Sequence, residues 1–398
     1  MAPYESDDAV DGARDENPHT GRRKAARYAV PVAVVGVAAA TIGLVPALAA
    51  SGDPDLPKIT AKQLIDKIAK SDVQQLSGTV KISTDLGLPN LGGLENSLAS
   101  GATKGSGDGS SADPQAKLTE LVSGTHTLRV AADGPDKQKV SLLESGSEYS
   151  VFHDGTNVWG YDSKTNEVVH GTSADSGKDR KAEPPATPKD FADQALKAVD
   201  DTTSVTVDGT EQVAGRAAYK LLIKPRQSGT TVGAISIAVD SKTGMPLKFT
   251  LTPKSGGAAV VDAGFTEVSF AKPSAATFDF TPPKGAKVTE QKKDAKDREH
   301  APGMGFGEDH GKGTVLGKGW TSIATFETGA KGGLPTGGSK AGDLGGFLGS
   351  LGDKVSGKFG KGTVFSTRLV NVLMTDDGKV YAGAVTKGAL VKAANEGK

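Results

Sequence analysis

Apolar residues recur at every second position in one segment of this chain after another, and that period leaves few folds open. Leu76, Gly78, Val80 and Ile82 alternate with Ser77, Thr79, Lys81 and Ser83. The same period runs through Tyr219, Leu221 and Ile223, through Ile235, Ile237 and Val239, and through Leu247, Phe249 and Leu251. Successive side chains of a strand point to opposite faces, so this pattern builds sheets with one apolar and one polar face. Asp133-Gly134 and Asp154-Gly155 sit between such runs, and Asp-Gly pairs supply the positive φ of tight hairpins. The spacing predicts an antiparallel meander.

Further strands are expected around Leu128, Val130 and Ala132, around Val140 and Leu142, at Tyr149 and Val151, at Trp159 and Tyr161, and at Val168-Val169. From Val260 to Phe270 the alternation slips near Glu267, which predicts a bulge. Two short helices accompany these strands. Thr60 can cap the first, with Leu64, Ile65 and Ile68 on one face. The second runs from Pro188 to about Val199, with Phe191, Ala195, Leu196 and Val199 facing inward. The segment Leu86–Gln115 is rich in Gly, Ser, Ala and Asp and reads as a loop, as does the charged Ser173–Pro188. Phe278, Phe280 and Pro282-Pro283 close the region.

The organisation that follows is a disordered cytoplasmic tail (1–27), a signal peptide or transmembrane anchor (28–50), a large β domain (58–290), a polar linker (291–313) and a small α+β domain (314–398). In the last, a strand is expected at Trp320–Glu327 and a short helix at Asp343–Val355. A hairpin with arms Thr363–Met374 and Lys379–Thr386 follows, then a helix at Lys387–Asn395.

Tyr28–Ala50 carries no charge and directly follows the basic cluster Arg22, Arg23, Lys24 and Arg27. At ~1.5 Å per residue it is long enough for a ~30 Å hydrocarbon core, with the basic end kept in the cytoplasm. Two readings stand side by side. Ala47-Leu48-Ala49 after Pro46 fits a cleaved signal peptide. The length of the run and the polar tail before it fit an uncleaved, single-pass anchor. Either way the bulk of the chain is expected outside the cytoplasm, anchored to the membrane or secreted after cleavage near Ala49.

Several function classes drop out. Lys and Arg number 47 against 47 Asp and Glu, so no general attraction to nucleic acid exists and no nucleic-acid partner is expected. The chain has no cysteine, which excludes disulfides, thiol catalysis and cysteine metal sites. No two of His19, His126, His153, His170, His300 and His310 stand four apart, so no helical zinc motif occurs. Gly352–Lys358 reads GDKVSGK, but Phe359 stands where a phosphate loop needs Ser or Thr, and the bland reading is a Gly-rich turn. No G-x-S-x-G motif is present. Catalytic residues, a metal site and a cofactor are therefore not expected, and neither is enzyme activity.

What remains is an apolar sheet face with only two short helices to cover it. A residual hollow there would suit an acyl chain. Strand parity nominates Val80, Ile82, Leu142, Val151, Trp159, Tyr161, Leu221, Ile235, Ile237, Phe249, Leu251 and Phe265 as its lining.

YSVFHDGTNVWGYDSKTNEVV (Tyr149–Val169), VDSKTGMPLKFTL (Val239–Leu251) and ATFDFTPPKGAKV (Ala276–Val288) resemble the LolA/RseB-like superfamily of lipoprotein carriers and lipoprotein-sensing regulators. The middle stretch matches that group's D-x-x-T-G-x-P-L turn. The resemblance covers about Ile59–Glu290. It implies a mainly β (α+β) chain: an incomplete antiparallel β-barrel curved around capping helices, which here carries a small C-terminal α+β domain and an N-terminal transmembrane or signal helix. It also implies a lipid- or lipoprotein-binding role with acyl chains as partners; the apolar run Tyr28–Ala50, in which the sequence departs from the soluble carriers of that group, adds the membrane as a further partner if it is uncleaved. The alternative it implies is an RseB/MucB-like regulator binding a membrane protein such as an anti-sigma factor through 314–398.

Overall fold

The computed structural model describes residues 53–87, 110, 112, 117, 121, 123–172, 187–290, 313–327 and 352–397. The tail 1–27, the apolar run 28–50, most of the Gly/Ser loop, the loop 173–186, residues 291–312 and residues 343–351 of the expected helix lie outside them. Among the described residues no helix is long and apolar enough to cross a membrane. Asp53–Lys398 forms one compact unit that contains two sheets.

The larger sheet has twelve strands: β1 (Gln75–Thr84), β2 (Gly124–Asp133), β3 (Lys137–Glu144), β4 (Ser147–Asp154), β5 (Asn157–Asp162), β6 (Glu167–Thr172), β7 (Thr203–Val213), β8 (Arg216–Pro225), β9 (Val232–Asp240), β10 (Pro246–Pro253), β11 (Val261–Ser269) and β12 (Lys287–Glu290). Their order is β12-β6-β5-β4-β3-β2-β1-β11-β10-β9-β8-β7. Two meanders, β1 to β6 and β7 to β11, thus meet where β1 pairs with β11. The sheet is open. It also curls, because β7 comes within 8 Å of β11 (Cα to Cα) although three strands lie between them. Every pair is antiparallel except the last, in which Lys287–Glu290 lies parallel to Glu167–His170.

The slip near Glu267 is a bulge. Val80 faces Phe265 while Thr79 faces Glu267, which leaves Thr266 as the extra residue. Gly78 sits beside it in mid-strand, and a Cβ there would lie 2.4 Å from the Glu267 carbonyl oxygen. A glycine inside a strand marks this kind of close backbone approach.

Helix α1 (Ala61–Ala69) starts in a capping box in which the Thr60 side chain accepts from Gln63 N and the Gln63 side chain accepts from Thr60 N. Helix α2 (Pro188–Lys197) starts in the equivalent box of Thr187 and Asp190, with Pro188 in its first turn. α1 buries Leu64 and Ile68 against Tyr219, Leu221, Ile223, Ile235, Ile237, Val239 and Phe249, and α2 adds Ala192 to the same cluster. The extended lead-in to α1 is tied down as well. Thr210 Oγ1 donates to Pro54 O at 2.7 Å and Tyr219 Oη to Pro57 O at 3.0 Å.

The smaller sheet contains β13 (Thr314–Leu316), β14 (Ile323–Glu327), β15 (Asp353–Gly357), β16 (Gly360–Ser366), β17 (Asn371–Thr375) and β18 (Lys379–Gly383), in the order β13-β14-β18-β17-β16-β15. Helix α3 (Lys387–Glu396) buries Leu390 and Ala394 in a core with Phe359, Val364, Leu373 and Tyr381. Four expectations are corrected here. Asp353–Val355 is not helical and GDKVSGK is not a turn, because the segment is an edge strand paired with β16. The strand expected from Trp320 begins at Ile323, and Gly319–Thr321 forms a 3-10 turn. The arm Thr363–Met374 is broken by a turn in which Thr367 Oγ1 accepts from Leu369 N at 3.2 Å and Val370 N at 2.8 Å.

The two sheets are joined directly. Thr230 and Val385 form a β-bridge, Thr231 N donates to Ala384 O at 2.9 Å, and Thr386 N donates to Gly229 O at 2.8 Å. Arg368 bridges to the Asp85 carboxylate at 2.5 Å and to the Ala258 carbonyl.

Candidate functional site

Residues directly opposite in an antiparallel pair share a face of the sheet. Leu221 faces Ile237, Ile237 faces Phe249, Phe249 faces Ala263, and Ala263 faces Ile82. Leu251 faces Ile235, and Val80 stands between Phe265 and Leu128, which faces Leu142. Val151 faces Val140, two residues along β3 from Leu142. All the proposed lining residues except Trp159 and Tyr161 therefore share one continuous face.

That face has two apolar clusters. Val80, Ile82, Leu142 and Phe265 belong to one, together with Leu128, Val130, Tyr149 and Val169, and Val151 packs at its margin. Ala112 and Leu121 cover part of it, and Tyr149 Oη donates to Ala112 O at 3.0 Å. Leu221, Ile235, Ile237 and Phe249 belong to the other, with Leu251 at its margin and α1 and α2 above. Phe191 packs against both clusters, and its ring lies 5.2 Å from that of Phe249 at an interplanar angle of 23°. Leu221 and Ile237 are fully buried, and Ile235 and Phe249 are 6% and 5% exposed. At these positions the face is occupied by the protein's own side chains, which fill the hollow expected from the sequence.

Trp159 and Tyr161 are placed elsewhere. Trp159 is opposite Phe152 and Tyr161 opposite Ser150, whereas the inner position opposite Val151 is Gly160. Their rings lie on the outer face. Phe280 stacks on Phe152 at 4.7 Å and approaches Trp159 and Tyr161 at 5.7 Å each. The other flank of Trp159 stacks on His170 at 3.7 Å. His170 Nδ1 lies 2.7 Å from Glu290 of β12, and Nε2 lies 3.2 Å from Asn157 Oδ1. The closing segment therefore covers the outer face of β4 to β6 before adding β12 to its edge. It leaves a shallow depression of about 290 Å³ lined by Asp154, Asn157, Trp159, Phe278, Asp279 and Phe280. His126 bonds Ser123 O on β2, two strands from His153 and four from His170. Among the described residues no group of three or more His, Asp and Glu is placed to hold a metal ion.

The turn between β9 and β10 supports the roof. Asp240 is 1% exposed and receives Arg216 Nε at 2.6 Å and Nη2 at 3.2 Å, Thr243 N at 2.7 Å and Thr243 Oγ1 at 2.9 Å. Burial disfavours the carboxylate, but the Arg216 and Thr243 hydrogen bonds outweigh it and hold its pKa below the usual aspartate value. Gly244 has φ +75°, and a Cβ there would lie 2.4 Å from Lys67 O at the end of α1. The turn motif therefore holds α1 in place through a backbone contact that admits no side chain.

No family model matches the chain, and no curated protein matches it. Solved structures do, including the groups that its hairpin motifs resemble. A chain of the Pseudomonas aeruginosa MucA/MucB complex is 16% identical, with a TM-score of 0.40, over 84% of this chain and 96% of that one. A LolA superfamily protein from Nitrosomonas europaea is 10% identical, with a TM-score of 0.21, over 56% and 99%. An uncharacterized conserved protein from Thermus thermophilus is 16% identical, with a TM-score of 0.31, over 58% and 99%.

Proposed function

We propose that this chain is an extracytoplasmic, non-enzymatic lipid- or lipoprotein-binding protein that holds an acyl chain against the inner face of its large sheet. The observation that carries this reading is the roof. One apolar face running across the curled sheet is covered over β7 to β11 by two short helices, which bury Leu64, Ile68 and Ala192 against it and pack Ile65, Phe191, Ala195 and Leu196 partly buried beside them. On this reading the apolar run Tyr28–Ala50 behind a basic cluster carries the unit across a membrane, where it stays anchored or is released.

The energies suit an exchange. A ~16-carbon chain leaving water gains on the order of 12 kcal/mol, at ~0.8 kcal/mol per CH₂. Lifting α2 with its two large apolar side chains, Phe191 and Leu196, costs about 3–6 kcal/mol, at ~1.5–3 kcal/mol each. The lifted side chains repack on the bound chain, so transfer from a bilayer changes little apolar area in water. No energy source and no catalytic residue are required.

The test uses the full chain in phosphatidylcholine vesicles carrying a photoactivatable palmitate. Label is expected on peptides of β8 to β10 and of α2. Absence of label, or label only on residues 28–50, overturns the reading. One observation favours the alternative of a regulator that docks a membrane protein. β13 is an edge strand of the small sheet and its Val315 is 70% exposed, which suits addition of a partner strand. Loss of partner recovery on replacing Val315 with Lys, with acyl labelling unchanged, would support it.

A further inference from the structure

The small lobe packs one side chain against the margin of the large lobe's apolar cluster. Trp320, in the 3-10 turn between β13 and β14, packs against the cluster that contains Leu64, Ile68, Ala192, Leu221 and Ile237. It is held from three sides. Its Nε1 donates to Thr203 Oγ1 at the start of β7 at 2.8 Å, and Thr203 is itself buried. Its backbone N donates to Gln227 Oε1 at 2.8 Å, and Gln227 Nε2 donates to Lys318 O at 3.1 Å. The preceding residue, Gly319, has φ +61°, and a Cβ there would lie 2.4 Å from Thr202 Oγ1. The positive φ and the close Thr202 side chain favour glycine at this position.

An indole placed in this way competes for the same apolar volume as a guest chain beneath α1 and α2. It also belongs to the hairpin that forms one edge of the small sheet. We propose that Trp320 couples occupancy of the acyl site to the conformation of the β13–β14 hairpin, so that the small lobe reports whether the large lobe is loaded. This deepens the lipid-binding reading and rests on it.

The chain has two tryptophans, so a Trp159→Phe variant leaves Trp320 as the sole tryptophan, read by excitation selective for indole. The full-length variant in phosphatidylcholine vesicles is loaded with the photoactivatable palmitate, and its emission is compared before and after loading. The expected result is labelling of the inner face together with a shift in Trp320 emission. Labelling with unchanged emission overturns the coupling and leaves the lipid reading standing. No labelling overturns both.

Trp320→Ala and the milder Thr203→Val, which removes the indole's acceptor together with that hydroxyl's own bond to Asp200 Oδ1, should each speed amide exchange in α1 and α2. The expected factor is about tenfold for Trp320→Ala, which corresponds to ~1.4 kcal/mol. Exchange in β2 to β5 should not change. If Trp320→Ala does not fold, Thr203→Val carries the comparison. Unchanged exchange in the helices overturns the coupling whatever the lipid result.

Discussion

Replacing Asp240 with alanine tests how the turn between β9 and β10 is held. The carboxylate is buried and satisfies two Arg216 nitrogens, the Thr243 amide and hydroxyl, and the Lys242 amide at 3.1 Å. Removing one member of a buried ion pair costs ~3–5 kcal/mol, because the other charge is left unpaired. The Arg216 side chain is 27% exposed and water can partly re-solvate it, which puts the cost near the lower end, about 3 kcal/mol. For a folded unit of this size that lowers the melting temperature by roughly 6–12 °C. The pH dependence carries a sign. The folded pKa lies below the unfolded one, so the stabilisation is fully present above about pH 4 and is lost as pH falls through the folded value. The gap between wild type and Asp240→Ala should therefore be full at neutral pH and narrow on acidification below about pH 4. Circular-dichroism melts of both proteins at several pH values read this directly. A variant that melts within about 2 °C of wild type at neutral pH would refute the reasoning, as would a gap that keeps its width in acid.

Gly244→Ala combines a positive φ with a Cβ 2.4 Å from Lys67 O, and it should loosen α1 in particular, visible as faster amide exchange in Ala61–Ala69 with β1 to β6 unaffected. Phe191→Ala removes the ring stacked on Phe249. Because Phe191 is only partly buried, it should cost about 2–3 kcal/mol in urea titrations, below the ~3–5 of a full core site, and should speed acyl labelling of β10. Phe280→Ala uncovers Phe152, Trp159 and Tyr161, so in a Trp320→Phe background the Trp159 emission should shift to the red while acyl labelling of the inner face persists.

Much of the inner face was legible because a period of two records which side chains share a side, and nearly every strand kept it. β5 shows where the rule gives out. Trp159 and Tyr161 alternate as an inward-facing pair would, yet Gly160 occupies the inner position opposite Val151. Aromatics stand on the outer side because the Phe278–Phe280 segment returns to cover them, and local spacing carries no trace of a segment more than a hundred residues away. The alternation Phe278-Asp279-Phe280 was the available hint that this segment lies on a surface of its own. The bulge at Thr266 was readable because the pattern itself slipped. The parallel pairing of β12 was not, since Lys287–Glu290 is exposed throughout and has no apolar alternation. β15 escaped for a similar reason: Asp353–Gly357 buries none of its residues fully and is a strand through its ladder with β16. Trp320 gave a signal of type without one of place. A lone indole in a Gly-rich stretch reads as strand, and only the tertiary structure shows it seated among residues of the other lobe.

The two roof helices are anchored differently, and this bears on how an acyl chain would enter. α1 is pinned at both ends, by the Pro54 and Pro57 carbonyls that accept from Thr210 and Tyr219 and by the Gly244 turn pressed on Lys67 O. α2 rests on β10 and β11 through Phe191 and Ala192. A backbone carbonyl accepting a bond breaks away only with its whole segment, whereas apolar contact is non-directional and transfers to any hydrocarbon that takes its place. On the proposed reading α2 yields first, and Phe191 trades the Phe249 ring for the guest. Phe191 also touches the second cluster, which takes residues from both meanders. On that reading its movement opens a path by which a single chain runs from one cluster to the other.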